Sequence, residues 1–98
     1  MPPQAAYNTN IPLEIFKEEK WFIAHCPILD LSAQGETPED AKESFKDALE
    51  LILADMIERK TLDQYLTKLG WKKISKPRKH WVPPAFVRMM DTPIHIPA

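Results

Sequence analysis

His25 and Cys26, in the run FIAHCPILDL, bring together by type a base and a nucleophile. A thiol attacks as its thiolate, and a nearby imidazole is a common way to generate one. Adjacency works against that use. In a strand, successive side chains point to opposite faces, so the two are read as a bend in a scaffold, with Cys26 a buried structural cysteine. Zinc would need a fuller ligand set, and His80 and His95 lie far from Cys26 without ligand spacing, so no metal and no cofactor is expected. Two-metal hydrolysis needs carboxylates converging on ions about 4 Å apart. The candidates are Glu14, Glu43 and Asp91, and their positions on a strand, a polar helix face and a proline-rich tail give no reason to converge. Gly35 and Gly70 are the two glycines of the chain, too few for a phosphate-cradling loop. No residue is assigned a catalytic role.

Charge carries more information than chemistry here. The net charge is -1, but residues 1–58 hold twelve carboxylates against four lysines, and residues 59–98 hold nine basic side chains against Asp63 and Asp91. Such polarity suits a basic partner for the first part or an acidic or nucleic-acid partner for the second. It equally suits a basic tail folded back over the molecule's own acids. Asp30, Glu36, Glu39, Glu43 and Asp47 are the candidate partner-binding acids, and Trp81 and Phe86 the candidate apolar anchors. Lys72, Lys73, Arg78 and Lys79, interleaved with Trp71 and Trp81, are the candidate nucleic-acid contacts. The competing account of that segment is a solvated linker whose tryptophans cover the core.

The elements that must position these groups can be read from period and punctuation. IPLEIFK, residues 11–17, alternates as a first strand, with Pro12 near its start. Glu18-Glu19-Lys20 is a polar break of hairpin length before WFIAHC, a second strand with apolar groups on both faces. One face is expected to meet a helix and the other a partner chain or the tail. Alternation resumes from Leu29 to Gln34, a third strand ending at Gly35.

Thr37 then offers an N-cap, Pro38 a first helical position, and Glu39 and Asp40 a favourable first turn. The helix that follows has Ala41, Phe45, Ala48, Leu49, Ile52, Leu53, Met56 and Ile57 as one stripe for the sheet. Thr61 and Gln64 repeat a capping-box pattern for a short second helix, stopped by Gly70 with Trp71 folding back. From residue 72 the chain is basic and proline-rich, a linker or surface strand followed by extended segments with strands expected at 86–90 and 94–96. These last could complete the protein's own sheet, swap into a dimer, or wrap a partner.

The fold expected is therefore α+β: a small antiparallel sheet of three to four strands, one main helix across it and a short second helix, in the order β-β-β-α-α-β. With 98 residues, 44% hydrophobic and 28% charged, the chain has the size and composition of one globular domain. Residues 1–10 read as a disordered lead-in without the features of a secretory signal, 11–71 as the domain, and 72–98 as the tail. A single cysteine and the lack of an apolar run near the roughly 20 residues of a membrane span point to the cytoplasm.

The series Trp21-Phe22-Ile23-Ala24-His25-Cys26-Pro27, Leu29-Asp30-Leu31, Ser32-Ala33-Gln34-Gly35-Glu36-Thr37 and Glu39-Asp40-Ala41 resembles the N-terminal domain of HicB-family antitoxins over residues 11–70. Leu69-Gly70-Trp71 is similar to the ending of short members. The resemblance implies a partial RNase H-like fold without enzymatic activity. It also implies a toxin–antitoxin role, in which the module binds a small basic HicA-type toxin, a messenger-RNA-cleaving protein, and occludes its RNA-binding surface. Self-association as a homo-oligomer goes with that reading. Two departures stand out. The proline-rich residues 72–98 leave no room for the family's DNA-binding module, and the Ile28-Leu29-Asp30-Leu31 turn lacks the usual glycine. The alternative is an orphan domain that self-associates or binds RNA as an accessory.

Overall fold

The computed structural model describes residues 9–77 and 79–97. The expected lead-in, apart from residues 9 and 10, lies outside the described residues. Three antiparallel strands, β1 (Glu14–Glu18), β2 (Trp21–Cys26) and β3 (Leu31–Gly35), form a sheet in that order. Helix α1 (Pro38–Arg59) crosses it, α2 (Leu62–Lys68) follows, and β4 (Lys72–Ile74) and β5 (His80–Val82) pair as a separate hairpin. The α+β architecture is the one the residue pattern predicts.

Register decides which side chains face the helix. Ile15 pairs with Ala24, and Ala24 with Ala33; Cys26 pairs with Leu31. Ala24 and Cys26 are fully buried against Ala41 and Phe45 of α1, together with Leu29, Leu66 and Trp71. Residues of the other parity, Glu14, Phe16, Trp21, Ile23, His25, Ser32 and Gln34, therefore lie on the outer face of the sheet. Ala24 and Ala33 pair across the strands, and Phe45 is buried in the same cluster, where an aromatic contributes the larger energetic gain.

Local chemistry explains the boundaries. β1 starts at Glu14, not Ile11, because Pro12 has no N–H for a ladder; Ile11 and Leu13 still pack against the core. The β1–β2 turn is two residues, with Glu19 at φ 55°. β3 starts at Leu31, not Leu29. The Leu29 N–H donates to the Cys26 carbonyl at 3.3 Å and Asp30 adopts φ 53°, so Leu29 sits inside a turn and buries its side chain there. Asp30 thus takes the left-handed conformation that glycine would favour, which aspartate tolerates better than most residues.

The α1 start is as predicted: the Thr37 hydroxyl accepts from the Asp40 N–H at 3.0 Å. At its far end Lys60 stands at φ 61° while the Thr61 N–H donates to the Met56 carbonyl and the Lys60 N–H to that of Ile57, a Schellman closure. A lysine in that region is strained by its Cβ, so Lys60→Gly is expected to raise stability by about 0.5–1 kcal/mol, read as a higher urea midpoint at unchanged slope.

The capping box predicted at Thr61 does not form. Thr61 has near-helical φ and ψ and its N–H already closes α1, so its side chain makes no cap bond. The α2 ending matches the expectation. The Gly70 N–H donates to Thr67, the Trp71 N–H to Leu66, Gly70 has φ 93°, and buried Trp71 packs in the cluster with Leu66. Beyond Val82 no strand forms among the described residues. The segments 86–90 and 94–96, expected as strands, take no regular secondary structure and are exposed, downstream of the rigid Pro83-Pro84 pair. No helix among the described residues is long and apolar enough to cross a membrane.

Candidate interaction surface

Helix geometry gathers the candidate acids. Glu39, Glu43 and Asp47 recur every four residues on the side of α1 opposite buried Ala41 and Phe45, and all are exposed. Glu36, just before the cap, is exposed as well but lies outside the helix. Glu50, three residues past Asp47, continues the line and was missed as a site residue, although the same helical spacing could have found it. The stripe spans about 17 Å at 1.5 Å per residue from Glu39 to Glu50. Leu51, 74% exposed, stands beside it as an apolar neighbour. Asp30 is not part of the stripe. It lies at the opposite end of β3, near Tyr65, whose hydroxyl donates to the Leu29 carbonyl. Burial, and then the Asp30 charge, push the Tyr65 phenol above its ordinary range.

The basic segment does not cover these acids among the described residues. The lysine–carboxylate pair there is Lys73 with Asp63 of α2, at 2.9 Å; Arg59 pairs within α1 with Asp55 at 3.0 Å. Glu39, Glu43, Asp47 and Glu50 enter no ion pair among the described residues, and the exposed Lys42 and Lys46 of the same helix temper their field without closing a contact.

The candidate nucleic-acid groups are dispersed in role. Lys72 and Lys79 are exposed, whereas Lys73 is engaged with Asp63 and stands 5.7 Å from the Trp81 ring centre. Arg78 lies outside the described residues. Trp71 is buried and donates its Nε1–H to the Ile28 carbonyl at 2.8 Å, so it presents no face for a base. Trp81, expected as a partner anchor, is half-buried against the protein's own core, because the β4–β5 hairpin folds it there. Phe86 is exposed, as an anchor requires.

His25 and Cys26 separate as strand geometry demands. Cys26 is buried under α1, and that burial pushes its thiol above the ordinary range. His25 lies on the outer face with Nδ1 3.2 Å from a Glu14 carboxylate oxygen. Glu14 and Glu43 stand on opposite sides of the sheet, and no three histidine, cysteine or carboxylate side chains among the described residues are grouped to hold a metal. A shallow depression of about 270 Å³ between the end of α1 and α2 is lined by Met56, Thr61, Gln64, Tyr65 and Lys68, with no carboxylate, histidine or cysteine. Compared with known proteins, the chain matches no family model, no curated protein and no solved structure.

Proposed function

We propose that this chain is a HicB-like antitoxin module of the cytoplasm. It neutralises a small basic, RNA-cleaving HicA-type toxin by presenting the outward face of α1 to the surface that would hold RNA. The carrying observation is the acidic stripe Glu39–Glu43–Asp47–Glu50, exposed and unpaired by the protein's own lysines. A line of carboxylates resembles a phosphate backbone in charge and spacing, and it steers a cationic surface into contact. The three-stranded layer crossed by α1 supports the same reading, as does the strand motif ending at Cys26-Pro27. Binding, with no reaction at the site, is the activity assigned.

The test begins with affinity purification of the full chain from its native cells. The expected companion is a small basic ribonuclease whose RNA cleavage stops when the chain is added back. Glu43→Lys together with Asp47→Lys should weaken that inhibition at least about tenfold at low salt, with the gap narrowing as salt rises. Both positions are exposed, so folding is unaffected. Equal inhibition by the variant would remove the α1 face from the reading. A salt-sensitive complex with RNA and no toxin would replace it with the RNA-accessory role.

A further inference from the structure

Two parts of the chain leave apolar side chains uncovered. β1 is an edge of the sheet, α1 packs chiefly over β3 and β2, and Ile15 on the helix side is 43% exposed and Phe16 on the outer side 54%. In the tail, Phe86, Val87, Met89, Met90, Ile94 and Ile96 are each 75–85% exposed, in a segment that forms no helix or strand of its own. A strand apolar on both faces is the pattern of one buried from both sides. The tail of the same copy does not supply that cover, and the molecule is drawn out to 58 Å in its long direction.

We infer that the tail of one copy adds as a fourth strand beside β1 of a second copy, reciprocally, in a dimer. Sequence complementarity gives a register. In a parallel alignment that sets Arg88 beside Glu14, Val87 falls beside Leu13, Met89 beside Ile15, Met90 beside Phe16 and Asp91 beside Lys17. Three apolar positions and both charge pairs match, with Glu14–Arg88 and Phe16–Met90 on the outer face and Ile15–Met89 and Lys17–Asp91 on the other. The charges that would blunt a free edge become its address. The antiparallel alignment with the same Glu14–Arg88 pair sets Lys17 beside Ala85 and lacks the second charge match.

The Pro83-Pro84 pair holds the tail straight and lowers the entropy lost on docking. This inference does not depend on the toxin reading.

Sedimentation of the full chain across micromolar concentrations is expected to show a monomer–dimer equilibrium, with amides of residues 87–91 protected from exchange only where the dimer is populated. Arg88→Glu, in the exposed tail and harmless to the folded body, should weaken dimerisation about tenfold, and Glu14→Arg likewise. The two together should restore it, and Lys17→Asp with Asp91→Lys should behave in the same way, which fixes the parallel direction. Val87→Asp with Met89→Asp should leave a monomer. A chain monomeric at every concentration, a dimer indifferent to the tail variants, tail protection independent of concentration, or failure of the paired reversals to rescue would each overturn the inference.

Discussion

Trp71→Ala is expected to lose about 4 kcal/mol of folding stability, a large part of what a domain of this size possesses. Trp71 is buried in the core cluster, and three roles meet in it. Its backbone closes α2 through Leu66, its ring fills the space between α2 and the turn after β2, and its indole N–H holds the Ile28 carbonyl at 2.8 Å. Alanine leaves both a cavity and a part-buried carbonyl without its donor. A urea titration followed by far-ultraviolet circular dichroism would read the loss. Trp71→Phe separates the terms, because it restores most of the volume and none of the hydrogen bond. An intermediate loss is expected, and full recovery by phenylalanine would show that the hydrogen bond contributes nothing.

Gly35→Ala should cost about 3 kcal/mol or more, beyond the usual range for adding one methyl to a core. The reason is specific to the place. A Cβ on Gly35 would lie 2.6 Å from the Asp40 carbonyl carbon and nearer still to the Ala41 nitrogen. These are backbone atoms of the first turn of α1, so relief requires the helix start to move, and with it the Thr37 cap. For a domain of fewer than 100 residues such a loss corresponds to a midpoint lower by at least about 12 °C in thermal denaturation. A shift of only a few degrees would mean that β3 and the helix start separate without penalty.

Both effects were only partly legible in the residue pattern. Thr37, Pro38 and the two acids after them announce the α1 start unaided, because a cap works through atoms three residues apart. Gly70 followed by Trp71 announces the α2 ending for the same reason. Gly35, by contrast, looks like a strand terminator; its requirement for no side chain comes from a helix turn folding back over it. Thr61 carries the letters of a capping box, yet the closure of α1 claims its backbone first. The acids at 39, 43 and 47 follow from helical spacing, whereas the separation of Asp30 from them depends on the direction of β3.

What the sequence determined by itself is the set of local decisions: three short strands, a capped long helix, a second helix with a glycine stop, and one helix face rich in carboxylates. These arise from interactions among residues a few positions apart, whose geometry is the same in any fold. Tertiary structure decided the rest: that β4 and β5 pair apart from the main sheet, that Trp81 turns inward, that β1 stays an uncovered edge, and that Lys73 pairs with Asp63 of α2 and not with the α1 acids. Those outcomes rest on which surfaces meet across the chain, and the meeting is governed by the competition for one small core that no local pattern encodes.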